Sequence, residues 1–456
     1  MNEPASSRLP RVVVAAPATG AGKTTVATGL MAALARAGHE VSGHKVGPDY
    51  IDPGYHALAC GRPGRNLDPH LVGEDLLAPL LLHGARGADV AVVEGVMGLY
   101  DGRVGTDGFA STAHVAGLTR SPIVLVVDIS RSSRSIGAVV HGMATYDPGV
   151  QVAGVVLNKA GSPRHAREVV DSIAPTGIPV LGTIGRDQAV EAPSRHLGLV
   201  PAAERGLAAE SLDRLAAQVA EQVDLEAVLA IARSAPDLAA APWDPAAQVR
   251  PPAGATPTGR PVVAVAGGRS FTFRYTETDE LLRAGGCEVV TFDPATDTAL
   301  PDGTRGLYLG GGFPEVHATA LGDNAALRAE VAAAVAAGVP TVAECAGLLY
   351  LCQSLDDVPM VGAVPAAASM TERLTLAYPE MTAASDSLLT RAGERVTGHE
   401  FHRTHVEPAA GPAPAWSGEG HTVGFTSASL HAAYLHVHWA GHPHLAQRFV
   451  DAVHRG

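Results

Sequence analysis

The sequence has few cysteines, and none of them is paired in a motif. Among its 456 residues are Cys60, Cys287, Cys345 and Cys352, with no C-x-x-C spacing. A zinc knuckle or a disulfide framework needs closely spaced or numerous cysteines, so neither is expected. These four residues suit a reducing cytoplasm.

Long apolar runs and excess positive charge are also missing. No stretch of about eighteen apolar residues occurs, and the N-terminus MNEPASSRLPR lacks the apolar core of a signal peptide. The formal net charge is −13, with no evident basic face. We therefore expect a cytoplasmic protein with neither a membrane nor a nucleic-acid partner.

Length and composition predict more than one globular domain. A chain of 456 residues with 46% hydrophobic and 17% charged residues exceeds one ordinary domain. The stretch from Ser234 to Pro261 is rich in proline and has no period, which predicts a linker. We predict a two-domain α/β protein, with a parallel sheet in a first domain at 1–240, a linker at 241–260 and a second α/β domain at 261–456.

A phosphate-binding loop is predicted near the N-terminus. The run VVVA at Val12–Ala15 reads as a buried strand, and TGAGKTT then leads into an alanine-rich helix. Pro17 stands where the P-loop pattern has its first glycine, but the strand, loop and helix context is intact. A glycine-rich turn with a chance lysine is the plainer alternative. The candidate nucleotide contacts are Gly20, Gly22, Lys23, Thr24 and Thr25, with the Thr24 hydroxyl placed to bind Mg²⁺.

The stretch KVGPDYIDPGYH follows the next strand. Its glycines and prolines predict a loop rather than a helix interior. A loop just past a strand end lies at the edge where open α/β sheets bind ligands, although a solvated turn would use similar residues. Its candidate substrate residues are Lys45, Asp49, Tyr50, Ile51 and Asp52.

Polar residues end three further predicted strands, at Glu94, Asp128 and Asn158. Glu94 ends a buried run at Asp89–Val93 and is the second candidate Mg²⁺ ligand, with Asp101 close behind as a substrate residue. Asn158 ends another strand, and its amide suits the edge of a purine. Because Gly161 replaces the aspartate of the guanine-selecting N-K-x-D pattern, adenine is favoured. We predict one continuous helix over Glu204–Ala232.

The second half predicts a nucleophilic cysteine. Thr341–Ala343 reads as a strand that meets Cys345 at a sharp turn before a helix, as in a nucleophile elbow, where a helix N-terminus favours the thiolate. A buried, inert cysteine is the plainer alternative. Alternation in YLHVH predicts a strand with His436 and His438 on one face, and either could be the base. The candidate oxyanion and glutamine residues are Gly311, Gly312 and Gly347.

Taken with these motifs, the whole chain resembles the cobyrinic acid or hydrogenobyrinic acid a,c-diamide synthase family. The likeness rests on TGAGKTT, on KVGPDYIDPGYH with VVEGVMGLYDG, and on GGGFPE with AECAGLLYL and YLHVHW. It implies a P-loop amidoligase domain similar to dethiobiotin synthetase, joined to a glutamine amidotransferase domain. It also implies ATP and Mg²⁺ as cofactors, a corrinoid substrate and glutamine, and it allows a homodimer.

The resemblance implies a role for each site. Cys345 would attack the glutamine amide with His436 as its base, and the released ammonia would travel inside the protein to the first domain. There a substrate carboxylate would be phosphorylated by ATP and then amidated. Many relatives have a glutamate two residues after the histidine, where this chain has His438. The third member of the amidotransferase triad is therefore unassigned.

Three other functions fit parts of the sequence. A partner-regulated ATPase similar to ParA and MinD would share the P-loop but needs no reactive cysteine. A relative acting on nickel-sirohydrochlorin would share both domains. A carboxylating enzyme similar to dethiobiotin synthetase would lack a counterpart of residues 262–456.

Overall fold

In the computed structural model, which describes residues 6–186, 205–253, 259–418 and 420–456, the valine-rich stretches of the first half form one parallel sheet. The strands of this half are β1 Ser6–Ser7, β2 Arg11–Ala15, β3 Val41–Val46, β4 Arg65–Leu67, β5 Val90–Glu94, β6 Ile123–Asp128, β7 Val152–Ala160, β8 Val180–Gly185 and β9 Leu238–Ala239. Seven of them follow the order β4-β3-β5-β2-β6-β7-β8, and β1 pairs with β9. Every pair in the large sheet is parallel, as the sequence predicts.

Helices connect these strands. They are α1 Lys23–Arg36, α2 Asp52–Cys60, α3 Pro69–Val72, α4 Leu77–Gly84, α5 Thr112–Leu118, α6 Ser135–Thr145, α7 Pro163–Ile173, α8 Arg205–Gln222 and α9 Leu225–Arg233, with 3₁₀ turns at Glu74–Leu76 and Ala174–Thr176. The apolar side of α1 is buried with β2, β5 and β6 in one core. Gly29 permits close contact with α8, because a Cβ there would lie 2.6 Å from a methyl of Val219.

Two predictions about helices in this half are wrong. The predicted continuous helix is divided into α8 and α9, because the Asp224 side chain accepts a hydrogen bond from the Ala227 N–H and starts a new helix. Glu204 lies outside the described residues. The predicted loop ends at Ile51, since Asp52 already begins α2, and Pro53 is tolerated in a first helical turn.

The proline-rich stretch is anchored at its apolar residues. Leu238 and Trp243 are buried, and the Arg11 guanidinium donates to the Pro236 carbonyl. The chain divides into unit 1, Met1–Pro69 with Gly73–Trp243, and unit 2, His70–Val72 with Asp244–Gly456. The domain limits drawn from composition remain predictions.

Unit 2 has its own mixed α/β fold. Its strands are β10 Val262–Ala266, β11 Glu288–Phe292, β12 Thr304–Leu309, β13 Thr341–Glu344, β14 Ser354–Leu355, β15 Val358–Pro359, β16 Ala367–Ala377, β17 Glu380–Ala383, β18 Arg395–Thr397, β19 Glu400–Glu407, β20 Trp416–Gly418, β21 His421–Val423, β22 Phe425–Thr426 and β23 Leu430–Ala433. Its helices are α10 Pro245–Gln248, α11 Thr276–Ala284, α12 Ala318–Asp323, α13 Ala325–Ala336, α14 Ala346–Leu351 and α15 Pro443–Arg455.

The main sheet of unit 2 has the order β11-β10-β12-β13-β23-β22. Its strands are parallel except for the β22–β23 pair. Two four-stranded sheets, β15-β14-β16-β19 and β18-β17-β20-β21, complete the unit. The predicted strand over YLHVH is wrong, because β23 ends at Ala433 and only His436 makes an isolated bridge, to His399. In the described part of the chain, no helix is long and apolar enough to cross a membrane.

The cap between α8 and α9 gives a test of the fold. We expect Asp224→Ala to lower the free energy of unfolding by about 1 kcal/mol, because the Ala227 N–H loses its side-chain acceptor. Asp224→Asn keeps an acceptor oxygen and should stay close to wild type. Denaturant unfolding followed by circular dichroism measures both, and equal stability of Asp224→Ala and wild type would contradict the assigned cap.

Candidate functional site

The P-loop follows the central strand of the unit 1 sheet. β2 lies between β5 and β6, so the loop after it opens at the carboxyl edge where the strand order changes direction. Gly20 and Gly22 have φ values of +85° and +92°, a conformation that favours glycine. A Cβ at Gly22 would also lie 2.1 Å from the Asn158 amide nitrogen. Gly22 is therefore required for both reasons, and Gly20 is favoured by its backbone conformation alone.

The ends of β6 and β7 support this loop. Asn158 donates from its amide nitrogen to the Ala21 carbonyl at 2.9 Å. The Lys159 ammonium donates to the Gly20 carbonyl at 2.8 Å and pairs with Asp128 at 2.9 Å. Asn158 thus braces the loop in this structure, and its contact with a purine remains a prediction. The sequence reasoning gave no role to Lys159 or Asp128, although both lie at the ends of neighbouring strands.

A cleft of about 720 Å³ opens beside the loop. Its lining includes most of the predicted nucleotide, metal and substrate residues, namely Gly20, Gly22, Lys23, Thr24, Thr25, Lys45, Asp49, Glu94 and Asn158. Thr19, Ile184, Arg186 and Gln218 also line the cleft and were missed by the sequence reasoning. The predicted substrate residues Tyr50, Ile51, Asp52 and Asp101 are not among the lining residues of this cleft.

Glu94 is fully buried at the base of the cleft and has three partners. Its carboxylate oxygens lie 2.5 Å from the Thr24 hydroxyl, 3.1 Å from the Lys45 ammonium and 2.8 Å from a His56 ring nitrogen. Burial raises the pKa of Glu94, but Lys45 and His56 outweigh it and hold the pKa well below its usual range. His56 was not predicted. It follows Asp52 by four residues on α2, a spacing that places both side chains on one helix face.

Two further charges belong to this cluster. Asp52 pairs with Lys45 at 3.0 Å, and burial together with the neighbouring Glu94 raises the pKa of Asp52 to about 8. Burial lowers the pKa of Lys23 to about 8, helped by the nearby Lys45. The Lys23 ammonium donates to the Met97 carbonyl at 2.5 Å. The raised pKa of Asp52 and the lowered pKa of Lys23 both favour the neutral forms of these groups. This reduces the number of like charges that the buried cluster must hold.

The donor atoms in this cluster fit Mg²⁺. The Thr24 hydroxyl, the Glu94 carboxylate and the Asp52 carboxylate converge, with 3.5 Å between Thr24 and Asp52. Mg²⁺ prefers oxygen ligands and usually takes one or two carboxylates with phosphate and water. No group of three or more His, Cys, Asp or Glu residues suited to a metal occurs among the described residues. Phosphate and water oxygens would supply the remaining ligands of such an ion.

Asp49 and Asp101 shape loops. One Asp49 carboxylate oxygen accepts hydrogen bonds from the N–H groups of Ile51 and Asp52, at 2.7 and 3.1 Å, which orders the turn into α2. Asp101 accepts from the Gly98 N–H at 2.9 Å and is exposed. These local contacts leave the predicted substrate roles of both residues as predictions.

Cys345 lies at a strained turn in unit 2. It follows β13 directly and precedes α14, and its φ of 49° with ψ of −102° is rare for a residue other than glycine. Its N–H donates to the Ala433 carbonyl at 2.9 Å, which ties the turn to the end of β23. The thiol residue is 4% exposed. This is the elbow geometry that the sequence predicts.

His436 is the histidine that the structure places with Cys345. Burial lowers its pKa, but a hydrogen bond to the Cys345 side chain and the nearby charges of Cys345 and Glu344 raise the pKa to about 10. His438 instead lies 3.6 Å from Glu277 and packs on the Tyr275 ring. The choice of base that the sequence left open therefore favours His436.

Two of the three glycines predicted to contact the oxyanion or glutamine have N–H groups engaged with backbone carbonyls in this structure, and their roles remain predictions. The Gly311 N–H donates to the Phe273 carbonyl and the Gly347 N–H to the Gly310 carbonyl, each at 3.0 Å. Both glycines also allow close packing. A Cβ at Gly311 would lie 2.4 Å from the His436 ring, and one at Gly347 would lie 2.1 Å from the Leu309 carbonyl oxygen.

Gly312 likewise passes close to backbone, since its Cβ would lie 1.9 Å from the Ser270 carbonyl oxygen.

Glu344 and Tyr308 were not predicted from the sequence. The Tyr308 hydroxyl donates to Glu344 at 3.0 Å, and Glu344 lies 3.7 Å from His436. Glu344 directly precedes Cys345, but only the folded structure shows which histidine it faces.

Known proteins match the whole chain. Residues 12–200 match the CobQ/CobB/MinD/ParA nucleotide binding domain, and residues 262–444 match the CobB/CobQ-like glutamine amidotransferase domain. A hydrogenobyrinate a,c-diamide synthase of Thermobifida fusca is 58% identical over 98% of this chain and 97% of its own length. A protein of the same name from Streptomyces coelicolor is 55% identical over 98% of each chain.

A cobyrinate a,c-diamide synthase of Synechococcus is 42% identical over 97% of this chain and 98% of its own length. The family resemblance and the two-domain α/β fold class drawn from the sequence are both confirmed. With the P-loop of unit 1 and the cysteine elbow of unit 2, these matches show that the chain belongs to the a,c-diamide synthase family.

Proposed function

We propose that this chain catalyses ATP- and glutamine-dependent amidation of the a- and c-carboxylates of hydrogenobyrinic or cobyrinic acid. The observation that carries the proposal is the pairing of Cys345 with His436 in a chain whose other unit holds a P-loop beside a buried Glu94. A switch ATPase needs no such cysteine site. The names of the relatives supply the substrate class.

Glutamine hydrolysis is assigned to unit 2. The Cys345 sulfur attacks the side-chain amide carbon of glutamine, while His436 takes the thiol proton and delivers it to the departing nitrogen, releasing ammonia. Water then cleaves the thioester to give glutamate and restores the thiol. Since the Gly311 and Gly347 N–H groups are engaged, we assign the oxyanion contacts to the N–H groups of Gly312 and Ala346.

Amide formation is assigned to unit 1. A carboxylate anion resists attack by ammonia, so transfer of the ATP γ-phosphoryl group to it supplies a leaving group. Ammonia then attacks the acyl phosphate, and phosphate departs. Lys23 and Lys45 hold positive charge beside the cleft, and Thr24 with Glu94 would hold Mg²⁺. The ion would neutralise charge on the phosphates.

The nucleophile is tested with a matched pair of cysteine variants. We expect Cys345→Ala to reduce glutamine-dependent amidation at least about 1000-fold and to leave ammonia-dependent amidation intact. Cys352→Ala is the control, because Cys352 is buried in the same region and burial raises its pKa to about 12, so its thiol is inert. Glutamine-dependent turnover by Cys345→Ala at the wild-type rate would refute the assignment.

The metal and phosphate site is tested at Glu94. We expect Glu94→Gln to lower ATP-dependent amidation at least about 100-fold, because the site loses a charged oxygen ligand and Lys45 loses its partner. Glutaminase activity should persist, since that chemistry belongs to unit 2. Glu74→Gln, at an exposed position of unit 1, should retain both activities. Full amidation by Glu94→Gln would show that Glu94 has no part in the reaction.

The substrate is identified by product mass. The protein is incubated with ATP, glutamine and, separately, hydrogenobyrinic acid, cobyrinic acid or nickel-sirohydrochlorin. We expect two carboxyl-to-amide conversions on a corrinoid acid. Amidation of nickel-sirohydrochlorin alone would move the function to another tetrapyrrole, and no product from any of the three would contradict the proposal.

A further inference from the structure

The carboxylate of Glu344 lies beside the candidate base of unit 2. One of its oxygens is 3.7 Å from His436 Nδ1, and both side chains are more than nine-tenths buried. This separation is longer than a hydrogen bond, but catalytic pairs are often loose before substrate binds. Position 438 cannot supply this carboxylate, because it is a histidine whose ring faces Glu277 and Tyr275.

Two donors hold Glu344 in place. The Tyr308 hydroxyl donates to Oε2 at 3.0 Å, and the Val437 N–H lies 3.4 Å from Oε1. Tyr308 is on β12 and Glu344 ends β13, which is the neighbouring parallel strand. The carboxylate is thus attached to the sheet and to the backbone next to His436. These two hydrogen bonds keep the Glu344 carboxylate turned towards the imidazole of His436.

The opposite side of the imidazole is also defined. His399 stacks on His436 with ring centroids 4.8 Å apart and planes 9° apart, so it packs on the ring face. The charged and titratable groups that face His436 are Cys345, Glu344, His399 and, through Glu344, Tyr308. Since Glu344 faces Nδ1, the other ring nitrogen is left for the Cys345 thiol.

We propose that Glu344 is the positioning carboxylate of the glutaminase site. It accepts a hydrogen bond from the Nδ1–H of His436, selects the tautomer whose Nε2 can take the thiol proton, and stabilises the imidazolium that forms. Tyr308 supports it by holding Oε2. Glu344 does not touch glutamine and acts only through His436. The inference rests on the proposed glutaminase function of unit 2.

The first test separates turnover from binding. We expect Glu344→Gln to lower glutaminase kcat roughly 10- to 1000-fold, because a neutral amide cannot stabilise the imidazolium. KM for glutamine should hold near wild type, and ammonia-dependent amidation should persist. Glu344→Asp keeps the charge and should recover part of kcat. Glu277→Gln, an equally buried glutamate facing His438, is the matched control and should keep kcat.

The second test does not use glutamine, so it distinguishes failure of this inference from failure of the proposed function. Alkylation of Cys345 by iodoacetamide is followed against pH by peptide mass spectrometry. We expect the pH of half-maximal rate to rise by about one unit in Glu344→Gln. Without the carboxylate the His436 imidazolium is less stable, so less of it is present to stabilise the Cys345 thiolate. Tyr308→Phe should move it in the same direction by less.

Tyr308→Phe keeps the Glu344 carboxylate, so the alkylation profile of this variant provides the test if Glu344→Gln does not fold. A wild-type alkylation profile in both variants would overturn the inference, as would an unchanged kcat in Glu344→Gln or an equal loss of kcat in Glu277→Gln. If wild type hydrolyses no glutamine but the profile shifts as expected, the proposed function fails and the Glu344–His436 coupling stands.

Discussion

The chemistry of unit 1 depends on burying the Glu94 carboxylate without leaving it unpaired. Desolvation of an isolated carboxylate is so costly that the group would become protonated, but Lys45 and His56 hold its pKa well below the usual range. Removing one partner from such a cluster lowers stability more than replacing the whole cluster with apolar residues, because it leaves a buried charge unpaired. The Thr24 hydroxyl, at the N-terminus of α1, therefore meets a negative charge of fixed position, where a phosphate-bound cation would sit.

Unit 2 also holds a buried carboxylate at the carboxyl end of a parallel strand. Glu344 ends β13 as Glu94 ends β5, and each carboxylate lies next to the residue through which we assign it a function. Tyr308 and Val437 satisfy Glu344 as Lys45 and His56 satisfy Glu94. Parallel strands favour such clusters, because their carboxyl ends bring side chains from distant parts of the chain to one edge of the sheet.

Local sequence patterns were enough to predict Lys23, Glu94 and Cys345, since each follows a buried run and precedes glycine or a helix. They could not predict His56, because its partner is brought to it by the adjacency of β3 and β5. The strand expected at YLHVH failed for a related reason. Alternation predicts a strand only if a neighbour continues beside it, and β23 loses its parallel partner where β13 turns into Cys345. The break before α9 came from the Asp224 cap, which a helical period does not show.

In the proposed reaction, the nitrogen freed at Cys345 is the nitrogen fixed in unit 1. The most direct measurement is the mass of the amidated corrinoid formed from amide-¹⁵N glutamine and ATP in the presence of an equal concentration of unlabelled ammonium. The account predicts a product carrying ¹⁵N in both new amides, with one glutamate and one ADP formed for each. New amides that carry no ¹⁵N would contradict it.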